Sequence, residues 1–411
     1  MKRVIILVKN NFINDRRVYN TALSMQNNGI KPKIIAVRSY KNMKYEDDGV
    51  LEIKRISSFS SIYSRPKLKI NAIKSEKRKI SKSVQILKKN KFRLTIIGLL
   101  NTLFYELGSY FNAIYYKPDY VWANDLNTLY VAFLISKTCR SKLIYDSHEI
   151  FTEGLTFRSL SKIQRYFLRN SEKNIIKNVD AVVVTTDLRA EFLRKKYSLD
   201  KVWTIKNCHK LVSNIRTEDL FRKEFKIPDT AMIFLYQGLI HRKRGIFTLV
   251  DSISKINDAV LILMGDGNSK QELFNYIVDN KMEHKIFVKD SVPMDSLIHY
   301  TASADVGFQL LLNSGFNHYS TISNKVFEYI MAEIPIIASD FPELRKLIKG
   351  NEIGMVVDPG NTSEIIKVIQ KMISKKDKFI EYKKNLRKLK ITYSWENEEK
   401  SIFKIFNGIS I

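Results

Sequence analysis

The residues of this chain with the clearest chemical potential lie in the segment 323–340, SNKVFEYIMAEIPIIASD. Apolar residues recur there at helical spacing after a polar start, and Pro335 ends the predicted helix before a short apolar strand. The free N–H groups of a helix start attract anions, and Lys325 adds a positive charge at that point. Glu328, one turn further along, could accept hydrogen bonds from two neighbouring hydroxyls. An anion beside a diol describes a nucleotide diphosphate with its ribose, although an ordinary capped helix with a surface glutamate would show the same residues.

A second group of cationic residues follows a predicted strand in the segment 236–245, YQGLIHRKRG. Gly238 ends the strand, and residues 241–244 then place four ionisable side chains within reach of an anion. Arg242 and Arg244 are well suited to a diphosphate, because a guanidinium stays charged and donates hydrogen bonds in pairs. The segment therefore predicts a further part of a phosphate site, with a basic surface loop as the alternative.

Polar residues also follow other predicted strands, whose carboxyl ends face one another across a cleft between two sheets. The segments concerned are 10–18 (NNFINDRRV), 122–126 (WANDL), 143–153 (LIYDSHEIFTE) and 260–267 (VLILMGDG). Their candidate site residues are Asp15, Arg16, Asn124, Asp125, His148, Glu149, Gly265, Asp266 and Gly267. Residues 146–149 place several protic side chains at one strand end, and the glycines let a backbone approach a ligand closely. A satisfied structural histidine and an ordinary strand-end turn are the alternative interpretations.

Two domains must position these residues, since a chain of 411 residues with 45% hydrophobic composition is too long for one core. Apolar strands alternate with helical segments along the whole length, which indicates an α/β architecture of two doubly wound parallel sheets. The predicted strands are Val4–Val8, Ile34–Val37, Tyr120–Ala123, Leu143–Tyr145, Ala181–Thr185, Ile233–Tyr236, Leu261–Met264, Ile286–Val288, Val306–Leu310, Ile336–Ala338 and Met355–Val357. We predict a first domain over 1–208, a second over 209–390 and a terminal helix within 391–411, with the linker near 207–220.

The net charge of +27 requires a partner of opposite charge, and it is concentrated in the segment Arg65–Arg93, which holds twelve Lys or Arg against one acid, Glu76. A nucleic-acid site would have aromatic residues interleaved with these charges, and only Tyr63 and Phe92 lie near. The following segment, 94–116, is apolar and aromatic, but three polar residues within it argue against a membrane span. A basic helix beside an aromatic one favours contact with an anionic membrane surface; a solvated basic face beside core helices is the alternative.

Cysteine use and the N-terminus favour a cytoplasmic location. Cys139 and Cys208 match neither a disulfide nor a metal pattern, which favours a reducing compartment. The N-terminus starts with a short apolar run that predicts the first strand rather than a signal peptide. We therefore expect a cytoplasmic protein, peripheral on the inner face of the cell membrane.

Considered together, these motifs resemble those of GT-B glycosyltransferases of family four, in a bacterial branch with the pattern NKxFEY before an apolar strand. They occur in the family's order along nearly the whole chain, as DRRV, WANDL, YDSHE, NC, YQG–RG, GDG and NKVFEY. The resemblance implies two Rossmann-like domains facing each other across a cleft, and a terminal helix that returns to the first domain. It also implies a nucleotide-diphosphate sugar as donor, with no cofactor.

The resemblance assigns roles to the candidate residues. The implied catalytic residues are His148, near the transferred sugar, with Arg244 and Lys325 at the leaving diphosphate. The implied donor-binding residues are Gly238, Arg242, Gly265, Asp266, Gly267, Ser323, Asn324 and Glu328. The implied acceptor-side residues are Asp15, Arg16, Asn124, Asp125 and Glu149. No Asp-x-Asp metal step is found in the sequence, so the positive groups are expected to replace a metal ion.

Four positions depart from the family's pattern. Leu239 replaces an arginine, which leaves open whether Arg242 or His241 supplies the second positive contact. Asp290 replaces a glycine near the nucleotide base, and Ser320 replaces the first of two glutamates. The first strand's loop lacks the paired glycines of many relatives.

The sequence thus predicts a retaining, metal-independent glycosyltransferase. Its expected acceptor is a lipid-linked or membrane-proximal saccharide, such as a polyprenyl-linked one, of a cell-surface polysaccharide. A non-hydrolysing nucleotide-sugar epimerase and an inert sugar-nucleotide-binding subunit are the alternatives. A nucleic-acid-binding protein would account for the charge, but it leaves NKVFEY and YDSHE unexplained.

Overall fold

The computed structural model describes residues 1–13, 15–38, 45–47, 50–57, 80–215 and 219–409, and for 45–47, 80–96, 99, 155 and 156 it describes the backbone alone. Within these residues the chain forms two sheets with helices on their faces, so the predicted α/β architecture with two doubly wound sheets is confirmed. Part of the basic segment Arg65–Arg93, residues 65–79, lies outside the described residues.

The first sheet is parallel except for one edge strand. Its strands are β1 (Arg3–Leu7), β2 (Lys31–Arg38), β3 (Tyr45–Asp47), β4 (Glu52–Ser57), β5 (Tyr120–Asn124), β6 (Lys142–Ser147), β7 (Ala181–Val184) and β8 (Val202–Thr204). They lie in the order β3-β4-β2-β1-β5-β6-β7-β8, with β3 antiparallel to β4. Its helices are α1 (Arg16–Asn27), α2 (Ile80–Tyr116), α3 (Leu126–Cys139), α4 (Leu155–Ser159), α5 (Lys162–Ile176) and α6 (Asp187–Tyr197).

The second sheet is parallel throughout its described strands. These are β9 (Met232–Gln237), β10 (Ala259–Met264), β11 (Ile286–Lys289), β12 (Val306–Gln309), β13 (Ile336–Ser339) and β14 (Gly354–Val357), in the order β11-β10-β9-β12-β13-β14. The associated helices are α7 (Leu220–Phe225), α8 (Ile246–Ile253), α9 (Lys270–Asp279), α10 (Met294–Ala302), α11 (Phe316–Tyr319), α12 (Asn324–Met331), α13 (Pro342–Ile348), α14 (Thr362–Ser374) and α15 (Lys376–Thr392). Helices cover both faces of the sheet, which explains the fully buried apolar run of β10, AVLILM.

The strand order fixes where ligands can bind. In the first sheet the order reverses between β1 and β5, and in the second it reverses between β9 and β12. Loops at such a reversal leave in opposite directions and open a crevice beyond the carboxyl ends of the strands. Candidate residues that lie in these loops include Asp15, Asp125 and Gly238, whereas His148 follows β6 and the glycines at 265 and 267 follow β10.

The last helix, α16 (Trp395–Gly408), packs against the first sheet although it follows the second sheet in the chain. Trp395 and Phe406 are buried among first-sheet residues, and the Trp395 indole donates a hydrogen bond to Ser24 Oγ at 2.9 Å. The chain therefore crosses between the two sheets twice. The two crossings are bonded to each other, because the Trp395 N–H donates to the His209 carbonyl at 2.9 Å.

Sequence periodicity missed three strands, β3, β4 and β8, and divided one helix in two. β4 escaped because Lys54 and Arg55 interrupt its apolar pattern, yet both side chains are buried in the structure. β8 lies just before the predicted linker. The basic and aromatic helices expected around residue 94 form one continuous helix, α2. Among the helices that the structure describes, none combines the length and the apolar character needed to cross a membrane.

Candidate functional site

A cavity of about 740 Å³ lies between the carboxyl ends of the two sheets. Most of the candidate residues line it, and they come from both domains. From the first domain these are Asp15, Arg16, His148 and Glu149, and from the second they are Gly238, Arg244, Ser323, Asn324, Lys325 and Glu328. Residues up to 313 positions apart in the sequence (Asp15 and Glu328) therefore share one cleft.

Lys325, in the first turn of α12, is a buried cation without a hydrogen-bonding partner among the described residues. Its ammonium lies 3.6 Å from the centroid of the Tyr236 ring, and its side chain lines the cavity. Burial and the nearby Arg244 lower the pKa of Lys325 well below its usual value, and Glu328 opposes them. A bound anion would supply the hydrogen-bonding partner that the ammonium lacks and would add negative charge beside it.

The turn at Gly238 passes beside this lysine. Its φ of +112° lies in a region that residues with a side chain rarely adopt, and a Cβ there would meet Lys325 Nζ at 3.7 Å. The turn after β9 therefore runs directly beside the lysine ammonium. A residue with a side chain at this position would strain the turn.

Glu328 is held by two neighbours, one from each domain. Gln237 Nε2 donates to Glu328 Oε2 at 2.5 Å. The side-chain oxygen of the same glutamine, Oε1, accepts from Thr301 Oγ1 at 2.9 Å. Arg16 Nη1 of the first domain lies 3.5 Å from Oε1. The carboxylate therefore lines the cavity with Oε2 hydrogen-bonded to Gln237 and Oε1 beside Arg16.

His148 lies between two carboxylates of the first domain. Its Nδ1 is 3.7 Å from Asp125 Oδ2, its Nε2 is 3.6 Å from Asp146 Oδ2, and its backbone N–H donates to Asp125 Oδ1 at 3.1 Å. Burial lowers the pKa of His148, but Asp125 and Asp146 outweigh this effect and hold the pKa above its usual value. The two carboxylates therefore favour the protonated imidazole.

Asp146 is anchored by the buried residue Arg17. Arg17 donates to both carboxylate oxygens, at 2.8 and 3.2 Å, and the Trp122 indole donates to Oδ2 at 3.1 Å. Burial raises the pKa of Asp146, but Arg17 and His148 more than offset it and hold the pKa well below its usual range. A charged, bidentate pair of this kind gives His148 a fixed negative neighbour.

Several candidate residues do not line the cavity. Arg242 is exposed and pairs with Glu272, and neither it nor His241 lines the cavity. Asp266 pairs with Lys270 at the surface. Asn124 points into the sheet and donates to the Leu7 carbonyl at 3.0 Å.

Gly265 and Gly267 act behind the cavity rather than in it. A Cβ on either would lie 2.0–2.1 Å from the carbonyl of Gly238 or Ile240, a distance that a real Cβ does not reach. These glycines let the turn after β10 pack against the turn after β9. Asp125, at φ +60°, likewise acts through its contact with His148 rather than on the cavity wall.

Sequence reasoning did not select several polar residues that line the cavity, among them Arg17, Arg189, Gln237 and Asn317. Gln237 directly precedes Gly238 at a strand end and could have been found by that position. Arg189 and Asn317 lie within ordinary helical patterns that give no local signal. Within the described residues, no three His, Cys, Asp or Glu side chains are grouped so as to hold a metal ion.

Comparison with known proteins adds sequence matches for part of the chain. Residues 217–389 match the family model described as glycosyl transferases group 1. The chain is 25% identical over 149 residues to the O-antigen biosynthesis glycosyltransferase WclY of Escherichia coli, which is 36% of this chain. The chain therefore spans 39% of the length of that curated relative.

Solved structures match over nearly the whole chain. Sucrose-phosphate synthase from Thermosynechococcus elongatus has a TM-score of 0.73 at 14% identity, covering 99% of this chain and 98% of that one. HepE of Anabaena, solved in complex with UDP and glucose, has a TM-score of 0.69 at 13% identity, covering 99% and 100%. The fold of this chain is therefore GT-B.

Asp125→Asn should lower the pKa of His148, because one of its two carboxylate neighbours is lost. The raised pKa stabilises the fold fully below the unfolded value of about 6.5, and this contribution disappears as the pH rises through the folded value. The variant should therefore lose stability mainly at acidic pH. Imidazole NMR titration and denaturation at two pH values measure both effects, with Asp266→Asn as the surface control. An unchanged His148 pKa would show that Asp146 alone sets it.

Proposed function

We propose that this protein is a glycosyltransferase that transfers a sugar from a nucleotide-diphosphate donor to a saccharide acceptor. The observation that carries the proposal is the buried Lys325 ammonium, which lines the cavity at the start of α12 without a hydrogen-bonding partner among the described residues. A diphosphate would supply two negative groups to Lys325, Arg244 and the first N–H groups of α12. The GT-B fold and the match of residues 217–389 support this function.

The nucleoside half of the donor fits the carboxylate of Glu328. A ribose diol can donate two hydrogen bonds to one carboxylate, and Gln237 already fixes the orientation of this one. Arg16 lies 3.5 Å from the same carboxylate, so the ribose and Arg16 compete for one oxygen. Donor binding therefore requires Arg16 to turn away. The UDP-bound state of HepE supports the choice of a nucleotide sugar.

The reaction breaks the bond between the sugar's anomeric carbon and the diphosphate oxygen. As this bond lengthens, negative charge grows on the diphosphate, where Arg244, Lys325 and the α12 amides stabilise it. The acceptor hydroxyl attacks from the face that the diphosphate leaves, and its proton passes to the departing phosphate oxygen, so the configuration is retained. We assign the stabilising charge to these cationic groups, and we place His148 beside the hydroxyls of the transferred sugar.

The acceptor is proposed to be a membrane-proximal saccharide, with the enzyme on the cytoplasmic face. α2 exposes apolar side chains along one stripe, and α3 and α5, on the same face of the first sheet, extend it. The exposed residues are Leu103, Phe104, Leu107, Phe111, Tyr115, Tyr130, Leu134, Ile163, Tyr166 and Phe167. The basic segment that precedes this stripe in sequence complements an anionic leaflet. The O-antigen role of WclY supports a cell-surface polysaccharide.

Product analysis with a panel of nucleotide sugars and membrane extract separates the proposal from its alternatives. A glycosyltransferase releases nucleoside diphosphate and adds a sugar to the extract. An epimerase changes the sugar without an acceptor, and an inert subunit binds the donor without turnover. Either of the last two outcomes would overturn the proposal.

Glu328→Ala should weaken nucleoside diphosphate binding by roughly tenfold to a hundredfold, the equivalent of about 1.5–3 kcal/mol for a charged hydrogen bond. Calorimetric titration with UDP, GDP and ADP measures it. Glu283→Ala, an exposed carboxylate of the same domain, is the matched control and should bind as the wild type does. Unchanged affinity in the Glu328 variant would remove this residue from the ribose site.

Arg244→Ala should reduce turnover more than donor binding, because the diphosphate gains charge only as its bond breaks. We expect a decrease of about a hundredfold in kcat, comparable with the loss of one oxyanion-stabilising group. Arg242→Ala, two residues away and paired with Glu272 outside the cavity, is the control and should keep full activity. Wild-type turnover abolished by a chelator, or variant turnover restored by Mg²⁺, would place a metal in the mechanism.

Leu107→Ser combined with Phe111→Ser should release the protein from anionic vesicles without changing donor binding. These side chains are 49% and 66% exposed on α2. Ile380→Ser with Ile391→Ser, at comparably exposed positions of the second domain, is the control.

Changing Lys77, Arg78, Lys79 and Lys82 to Gln tests the contribution of the basic segment to vesicle binding separately. Residues 77–79 lie outside the described residues. Cosedimentation of the wild type with neither vesicle type, or equally with anionic and neutral vesicles at high salt, would exclude this surface.

A further inference from the structure

A loop of the second domain, residues 315–321, is docked on the first domain beside the cavity. The Asn317 side chain forms two hydrogen bonds with the backbone of Ile150: its Oδ1 accepts from the N–H at 2.9 Å, and its Nδ2 donates to the carbonyl at 3.0 Å. Thr186 Oγ1 of the first domain donates to the Ser320 carbonyl at 2.9 Å. These bonds join the loop that precedes α12 to the segment that follows His148.

Arg189 of α6, which is only 2% exposed, connects the same two segments through its guanidinium. In the second domain, its Nε donates to Ser320 Oγ at 3.1 Å and its Nη2 to the Asn317 carbonyl at 3.0 Å. In the first domain, its Nη1 donates to the carbonyl of His148 and, at 2.6 Å, to Thr185 Oγ1. All of these acceptors are neutral oxygens, so the contact depends on the fork geometry of arginine rather than on an ion pair.

Ser320, at the position where the resembling family has a glutamate, belongs to this contact between the domains. Its side chain is fully buried, accepts from Arg189 and donates to the Phe316 carbonyl at 2.7 Å. It does not line the cavity. The residue that replaces the glutamate of related enzymes therefore serves the contact between the domains, not the sugar.

We propose that Arg189 is a positioning residue, which sets the distance between His148 on one wall of the cleft and the start of α12 on the other. The proposal rests on the proposed function, because these two walls would hold the sugar and its leaving diphosphate. A transferred sugar bridges both walls, and a displacement of about 1 Å between reacting groups can reduce a rate about a hundredfold. Arg189 and Ser320 together would keep the two walls in register during each turnover.

A second contact between the domains provides a matched control. Lys346 Nζ lies 3.2 Å from Asp187 Oδ2, and these side chains are 73% and 53% exposed. This pair joins the same helix, α6, to α13 of the second domain, outside the cavity lining. Exposed ion pairs add little to stability, so loss of Lys346 should leave the cleft unchanged.

Arg189→Lys keeps the positive charge but removes the fork, so we expect at least a tenfold decrease in kcat. Nucleoside diphosphate affinity should change less than twofold, because the residues proposed to bind it lie in the second domain. Ser320→Ala should lower kcat in the same direction by a smaller factor, and it serves if the arginine variant does not fold. Lys346→Gln should match the wild type in both quantities. A parallel loss of kcat and nucleotide affinity would indicate general damage and overturn the assignment.

A distance measurement tests the same inference without depending on activity. Spin labels at Ile163→Cys and Ile380→Cys, both exposed, report the separation of the domains in a Cys139→Ser background. Arg189→Lys and Ser320→Ala should broaden the distance distribution, whereas Lys346→Gln should not. An unchanged distribution in both variants would overturn the positioning role. If the wild type binds no nucleotide while the two variants still broaden the distance distribution, the proposed function is overturned and the positioning role stands.

Discussion

The burial of the Lys325 ammonium without a hydrogen-bonding partner among the described residues is the constraint on which the rest of the site depends. Removing an ammonium from water without a countercharge costs several kcal/mol even after relaxation, so the pKa of Lys325 falls. Two neighbours lie against the buried ammonium. The centroid of the Tyr236 ring is 3.6 Å from it, and Gly238 passes beside it without a side chain. A dianionic ligand would remove most of the penalty. Stability of the free protein is thereby lowered in favour of anion binding.

The first domain solves the opposite electrostatic problem. Two of its buried charges are paired: Arg17 and Asp146 form a bidentate ion pair, to which the Trp122 indole adds a hydrogen bond. Such a pair contributes little net stability, but removing one partner costs about 3–5 kcal/mol because the other charge remains buried. The network therefore serves to fix the environment of His148. One wall of the cleft is electrostatically satisfied, while the other is left incomplete for a ligand.

Two sets of contacts join the domains. The two chain crossings are bonded to each other through Trp395 and His209. Arg189 and Asn317 join the loop before α12 to the segment around His148. A fold of two domains would otherwise open by rotation about the crossings, and a reaction that needs groups from both walls depends on limiting that rotation.

The sequence by itself determined the two parallel sheets and the loops that carry the site, because buried strands and strand-end polar residues leave a local pattern. It could not decide which residues of those loops enter the cavity. Arg242 and Arg244 are two positions apart, yet a salt bridge to Glu272 keeps the first outside. β4 was missed because tertiary burial of Lys54 and Arg55 overrides their polar pattern. The contact of Arg189 with Ser320, 131 positions away, exists only once both domains have folded, so no local signal in the chain could reveal it.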